Sequence, residues 1–222
     1  MGLIGCSTGS IEKKPSEQNS NVVEKTAAPQ QLSVAESGYS VDADGFMTYA
    51  AVVENPNSNW LANYPKVTVT AKDANGAILF SHDDSITYLF PNGKQAITGF
   101  TSVDGSKVAS VEATAYQSDK NWTEEDVQGA DADSLFEVTN LNEMINEYGR
   151  ISYTGEVSNK TDQDASAIKI SVVLRNAAGA IVGGYYTYVN DVQPGGTSPF
   201  QMQATGTPPE HAGYEVYAYL AY

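Results

Sequence analysis

Residues 31–55 recur 104 positions later as residues 135–159, and this repetition limits the folds open to the chain more than any other feature. Leu32 and Val34 correspond to Phe136 and Val138, Gly45 to Gly149, Tyr49 to Tyr153, and Val53-Glu54-Asn55 to Val157-Ser158-Asn159. One residue is then lost in a loop and the offset becomes 103. Val67, Val69 and Ala71 align with Ile170, Val172 and Leu174, Gly76-Ala77-Ile78 with Gly179-Ala180-Ile181, and Pro91 with Pro194. Solenoid units run about 20–50 residues, so a period near 100 is instead the size of one small domain. The chain therefore reads as two copies of one module, at 31–117 and 135–222, joined by residues 118–134.

Within each copy the apolar period is two. Val67, Val69 and Ala71 alternate with Thr68, Thr70 and Lys72, and Ile168, Ile170, Val172 and Leu174 alternate with Lys169, Ser171, Val173 and Arg175. In the last strands Val111, Ala113 and Ala115 alternate with Glu112, Thr114 and Tyr116, and Tyr214, Val216, Ala218 and Leu220 with Glu215, Tyr217 and Tyr219. Alternation of this kind marks half-buried strands. Turn-forming stretches separate them, including Asp42-Ala43-Asp44-Gly45, Asp73-Ala74-Asn75-Gly76 and Pro194-Gly195-Gly196. A four-residue connection ending in glycine suits a hairpin whose last position needs φ > 0. About seven short strands per copy predict an all-β chain of two tandem antiparallel immunoglobulin-like β-sandwiches. The joint is open to two readings. Asn121-Trp122-Thr123-Glu124-Glu125-Asp126 can form a single helical turn with Trp122 fixing the angle between modules, or a loose acidic linker with an exposed indole.

Charge excludes one class of partner. The net −15 divides into −5 for each module, −5 for the linker and zero for residues 1–30. Such a chain repels phosphate backbones, so nucleic acid is not an expected partner. No run of 18 or more apolar residues occurs, the length a membrane-crossing helix needs. The sole cysteine is Cys6, so no intrachain disulfide can form. Leu3-Ile4-Gly5-Cys6 resembles the lipobox of bacterial lipoproteins, and this resemblance implies that Cys6 is lipidated and that residues 1–6 are the remnant of a signal peptide. Residues 7–30 are rich in Ser, Glu, Lys, Gln and Asn and predict a disordered tether. The expected address is the extracytoplasmic face of a bacterial membrane, reached through the lipidated N-terminus.

The modules resemble the FxLYD-type immunoglobulin-like domains of bacterial surface lipoproteins. That motif enters a turn ending in glycine. Here it corresponds to Val69-Thr70-Ala71-Lys72-Asp73 before Gly76 and to Val172-Val173-Leu174-Arg175-Asn176 before Gly179. A Pro-Gly turn followed by a Ser/Thr-Pro-Phe segment is matched at 194–200 and in degraded form at 91–97, and the Val-x-Asn strand end at Val53 to Asn55 and Val157 to Asn159. The resemblance covers residues 31–222. It implies a sandwich fold and export, and it brings no catalytic residues.

The residues themselves point away from catalysis. Hydrolytic nucleophiles need a nearby base, and the two histidines, His82 and His211, sit at non-equivalent places in the repeats. His82 reads as a solvated strand-edge residue and His211 as a turn residue. Neither has metal-ligand spacing, so no cofactor and no metal are expected. The joint acids Glu124, Glu125, Asp126, Asp131 and Asp133 are the place where calcium could bind. Gly183-Gly184 lies in strand-like sequence and fits no phosphate-cradling loop. Fourteen tyrosines remain, concentrated in the second module. Tyr185, Tyr186, Tyr188, Tyr217 and Tyr219 are the candidate ligand-binding residues, because a ring is apolar while its hydroxyl stays wet. Alternation directs Tyr217 and Tyr219 outward; cross-strand pairing and interdomain packing would explain the same residues. The expected function is non-enzymatic binding of an extracellular protein or glycan. The alternative is a structural spacer or assembly subunit of an envelope complex.

Overall fold

A computed structural model describes residues 27–104, 107–124 and 135–221. Cys6, the tether up to residue 26 and the acids from Glu125 to Asp133 lie outside the described residues. The described chain is all-β and every strand pair is antiparallel. The first repeat contains β1 (Ser33–Val41), β2 (Phe46–Glu54), β3 (Trp60–Asn63), β4 (Lys66–Lys72), β5 (Ile78–Ser85), β6 (Tyr88–Leu89), β7 (Lys94–Ser102), β8 (Ser110–Tyr116) and β9 (Trp122–Glu124). The second contains β10 (Phe136–Ile145), β11 (Ile151–Asn159), β12 (Ala165–Arg175), β13 (Ile181–Val192), β14 (Thr197–Gln203) and β15 (Gly213–Leu220).

Strand order repeats with the sequence. Sheets β1-β2-β7 and β5-β4-β8 of the first module correspond to β10-β11-β14 and β13-β12-β15 of the second. The registers repeat as well. Tyr49 faces Tyr39 and Gly99, and Tyr153 faces Glu143 and Met202. Val69 faces His82 and Ala113, and Val172 faces Tyr185 and Val216. Every partner is displaced by the 104 or 103 residues read from the sequence. The first module adds a third small sheet, β6-β3-β9, so the described strands number nine and six rather than seven and seven. Of the two readings of the joint, neither holds for residues 122–124, while residues 125 and 126 lie outside the described residues. Residues 122–124 form β9, pairing Trp60 with Glu124, and the Trp122 ring packs against the Ala62 and Leu89 cluster of the first module.

Two sequence devices set these registers. Asp42, Asp73, Asn146 and Asn176 each open a hairpin, and each Oδ1 accepts two backbone N–H groups at 2.8–3.0 Å, from the residues two and four positions on. The glycine three positions on carries φ of 83°, 82°, 72° and 81° respectively, where a Cβ would be penalised. The second device is a buried asparagine at the end of each Val-x-Asn strand. Asn55 Nδ2 donates to the Trp60 and Leu89 carbonyls at 2.7 and 3.0 Å, while its Oδ1 accepts the Asn57 N–H. Asn159 makes the same set with Gln163 O, Val192 O and Thr161 N. Both are fully buried, so each amide satisfies backbone groups that burial would otherwise leave unpaired.

The two sandwiches dock face to side. The face of β2 and β7 pointing away from the first module's core presents Thr48, Ala50, Val52, Ala96 and Thr98. It lies on the corresponding outer face of β13-β12-β15, where Val173, Ile181 and Tyr217 complete a shared apolar cluster. Small residues make this approach close. A Cβ on Gly38 would lie 1.9 Å from the Ile181 carbonyl oxygen, and one on Gly184 2.6 Å from Thr98. The Gly183-Gly184 pair is thereby explained as a packing notch. Hydroxyls cap the free edge of β13: Ser40 Oγ donates to Val182 O at 2.6 Å, Thr48 Oγ1 to Gly184 O at 2.5 Å and Thr98 Oγ1 to Tyr185 O at 3.1 Å. An otherwise exposed strand edge is closed in this way. Arg175 adds a bidentate pair across the joint to Glu36, at 2.6 and 3.0 Å. The guanidinium holds the Glu36 carboxyl below its usual range.

Candidate functional site

Docking of the second module leaves a groove of 430 Å³ along the line where β5 and β7 meet β13. In a β-sandwich the positions facing the core at a sheet edge are half open. On β5 these are Phe80, His82 and Asp84, which pair across to the core-facing Ala71, Val69 and Val67 of β4. The second module lays Lys169, Tyr186 and Tyr188 against that opening. Its own equivalents of Phe80 and His82 are Gly183 and Tyr185, so the opening exists in only one repeat.

The floor of the groove is an ion pair. Lys169 Nζ bonds Asp84 Oδ2, with only 4% of the lysine side chain and 22% of the aspartate's exposed. The ammonium also lies 4.6 Å from the Tyr186 ring centroid and 6.0 Å from that of Tyr219, close enough for cation–π attraction. Aromatic rings form the walls. On one side Tyr49, Phe80 and His82 follow one another at centroid spacings of 5.9 and 6.2 Å. On the other Phe100 stacks on Tyr186 at 6.1 Å, and Tyr186 meets Tyr188 edge-on at 5.6 Å. Phe100 and Tyr188 are 40% and 48% exposed. Burial and the Asp84 charge raise the Tyr188 phenol above its ordinary range, so it remains a neutral donor at physiological pH. The arrangement offers flat apolar ring surfaces beside a carboxylate, an ammonium and phenolic hydroxyls, with no nucleophile–base pair among the lining residues.

The candidate tyrosines divide. Tyr186 and Tyr188 line the groove. Tyr185 does not: it points into the second module's core, 1% exposed, and burial pushes its phenol up to about 12. Tyr219 is 4% exposed, because the first module covers it; its ring joins the Leu32, Ile86 and Leu89 cluster. Tyr217 is half-buried against Val173 and Ile181 at the joint. The outward direction of Tyr217 and Tyr219 holds relative to their own sandwich, but the outer face is itself an interface. Sequence reasoning passed over Phe80, Phe100 and Lys169. A lysine set between Ile168 and Ile170 was the one available signal, whereas Phe100 gave none.

The two histidines have distinct settings. His82 is exposed and stacks on Phe80. His211 is more than a turn residue. Its Nε2 lies 2.7 Å from Glu143 Oε2 and its Nδ1 2.8 Å from the Pro209 carbonyl, and the buried Tyr153 hydroxyl donates to the same Glu143 oxygen at 2.8 Å. With acceptors facing both nitrogens, the imidazolium form satisfies both contacts. Burial depresses the His211 pKa, but the Pro209 carbonyl and Glu143 outweigh it and the net shift is upward from 6.5. A raised folded pKa adds stability below the unfolded value that is lost as pH climbs through the folded one. Stability of the full chain should therefore fall from about pH 6.5 upward, and His211→Gln should flatten that slope. Urea titrations from pH 6 to 9 check this; parallel profiles for the two proteins would refute it.

Among the described residues no group of three or more His, Cys, Asp or Glu is placed to hold a metal ion. Of the joint acids named above, only Glu124 lies within those residues. No helix there is long and apolar enough to cross a membrane.

No family model matches the chain, and no curated protein matches it. Among solved structures it is similar to the exo-chitosanase CsxA of Amycolatopsis orientalis, at 16% identity and a TM-score of 0.21, over 76% of this chain and 23% of that one. Red sea bream transglutaminase aligns at 9% identity and 0.25, over 88% of this chain and 31% of that one. The tandem CBM22-1–CBM22-2 domain of Paenibacillus barcinonensis Xyn10C aligns at 11% and 0.18, over 87% and 86%. The chain thus spans well under two thirds of the first two proteins, and at these scores the likenesses carry no argument about activity.

Proposed function

We propose that this protein is a non-enzymatic, lipid-anchored binding protein on the extracytoplasmic face of a bacterial membrane, and that its intermodule groove takes an extracellular glycan. One observation carries the reading. Exposed rings of Phe100 and Tyr188 flank a groove whose floor is the Asp84–Lys169 pair. Sugars present apolar C–H faces and a rim of hydroxyls. Aromatic faces cover the first, and phenols, a carboxylate and an ammonium answer the second. The net charge of −15 favours neutral over acidic polysaccharides. Cys6, by its lipobox-like setting, would fix the tether to the membrane.

Calorimetric titration of the full chain with neutral oligosaccharides released from bacterial envelopes tests the groove. Phe100→Ala and Tyr188→Ala should each weaken binding about tenfold, equivalent to about 1.4 kcal/mol, with little change in Tm. Absence of any saccharide ligand, or binding indifferent to both substitutions, would refute the glycan reading. Membrane fractionation of Cys6→Ser tests the anchor separately, with release to the soluble fraction expected.

The spacer reading also draws support from a specific feature. The joint is closely packed through Gly38, Gly184 and the Arg175–Glu36 pair, as a rigid rod requires. It leaves the exposed rings of the groove without a role, which is why binding is preferred.

A further inference from the structure

The groove does not end at Tyr188. A further stretch of 410 Å³ shares Asp84, Lys169 and Tyr188 with the first and adds Ser85, Ala167 and Asn190. The two stretches follow one another along the outer face of the second module, where Ser171 pairs with Tyr186, Lys169 with Tyr188 and Ala167 with Asn190. Strands advance about 3.3 Å per residue, so the cleft runs about 13 Å along β13 between Tyr186 and Asn190. On the opposite bank β5 keeps pace, passing from Phe80 and His82 through Asp84 to Ser85. The lining changes along this run. Rings wall the first stretch, whereas beyond the Asp84–Lys169 pair the small side chains of Ala167 and Ala221 alternate with the polar Ser85 and Asn190. Ser85 and Asn190 are exposed, and among the described residues neither side chain is engaged in a hydrogen bond within the protein. Phe100 at one end and Asn190 at the other are both exposed, so neither end is closed by a buried wall.

We propose that this cleft holds an internal stretch of a linear, neutral polysaccharide, laid along β13 across the Asp84–Lys169 pair, and not a single sugar or a chain end. The inference rests on the glycan reading above and gives that ligand a length and a direction. Each stretch alone has the volume of a pocket for one drug-sized ligand, about 300–1,000 Å³, so a single sugar would leave half of the cleft to water. A continuous chain fills both. Its apolar ring faces stack on Phe100 and Tyr188. Beyond Tyr188 its hydroxyls exchange hydrogen bonds with Ser85 and with the Asn190 amide, which both donates and accepts. The open ends let the chain continue past Phe100 and past Asn190.

Calorimetric titration of the full chain with neutral envelope oligosaccharides sorted by length, from monosaccharide to octasaccharide, tests the proposal. Affinity should rise about tenfold between the disaccharide and the tetrasaccharide and then level off. A bulky fluorescent tag on the reducing end of the octasaccharide should leave its affinity unchanged. Asn190→Ala should weaken the long fractions about fivefold, the effect of one lost hydrogen bond, and spare the disaccharide seated on the rings. Phe100→Ala should weaken every length. Should the Asn190 variant misfold, the length series and the tagged octasaccharide on the unaltered protein decide the matter. Affinity already level from the disaccharide upward, loss of binding on tagging, or an Asn190→Ala protein unchanged at every length would each overturn the proposal and leave the glycan reading standing. Absence of binding at any length would remove both.

Discussion

Tyr219→Ala should destabilise the full chain by about 3–5 kcal/mol, the range for removing a buried aromatic ring. The ring belongs to β15 of the second module, yet it completes a cluster with Leu32, Val53, Val67, Ile86, Leu89 and Ile97 of the first. Next to it Thr87 Oγ1 donates to the Leu220 carbonyl at 2.6 Å. Losing the ring opens a cavity in one module and removes the peg that holds the other. Two unfolding transitions should then replace one in calorimetry, because the modules lose their coupling. Tyr219→Phe provides the control. The hydroxyl approaches Ser171 without forming a well-aligned hydrogen bond, so its removal should cost less than about 1 kcal/mol. A loss under about 1 kcal/mol for Tyr219→Ala, or a large loss for Tyr219→Phe, would contradict the docking described.

Lys169→Ala should cost about 3 kcal/mol, the lower end of the range for breaking a buried ion pair by removing one partner. The ammonium is almost wholly buried, but Asp84 retains 22% side-chain exposure, and water can partly solvate the orphaned carboxylate. Two further losses add to this: the cation–π contacts with Tyr186 and Tyr219, and the packing of the lysine stem. The pair replaced as a unit, Lys169→Met with Asp84→Leu, should recover most of the stability, because neither charge is then left unpaired. Chemical denaturation of the single and double variants measures the coupling. If the single variant lost no more than a surface lysine does, the pair would be ornamental to the joint. Calorimetry of the double variant with the groove's saccharide would further separate the pair's part in stability from its part in recognition.

The repeat also shows why docking occurs once and stops. At the positions equivalent to Ser171, Val173 and Tyr217, the first module carries Thr68, Thr70 and Thr114, an outer face made of polar side chains. The second module's counterpart of the Thr48-Ala50-Val52 face is Ser152-Thr154-Glu156, likewise polar. A head-to-tail contact between copies of one module would otherwise propagate into a filament. Glycine and alanine on one side and valine and tyrosine on the other are confined to the single pair of faces that meet.

Much of this was legible in the sequence. Period-two alternation fixes which residues of β4 and β12 face a core, since a one-residue slip would expose every apolar side chain. The spacing from Asp or Asn to Gly fixes all four hairpins, because the side-chain oxygen and the positive φ are local requirements. Internal repetition fixes the shared registers. These are consequences of short-range geometry, and they determined the hairpins and the all-β class, whereas the long-range pairings β2–β7 and β4–β8 and their counterparts came from the fold. At Trp122 the sequence left a helical turn and a loose linker open, and neither formed because the segment pairs with β3, Trp122 meeting Ala62 60 residues away. What only the tertiary structure decided is the fate of the outward faces. Alternation says that Tyr219, Tyr217 and Lys169 leave their own core, but it is silent on whether water or another sheet meets them. That depends on the shape left by Gly38, Gly183 and Gly184 and on hydroxyls more than 80 residues away, as Thr48 and Thr98 are from Gly184 and Tyr185. The groove arises from that docking, because it is lined by side chains of both modules, which meet only when two completed sandwiches come together.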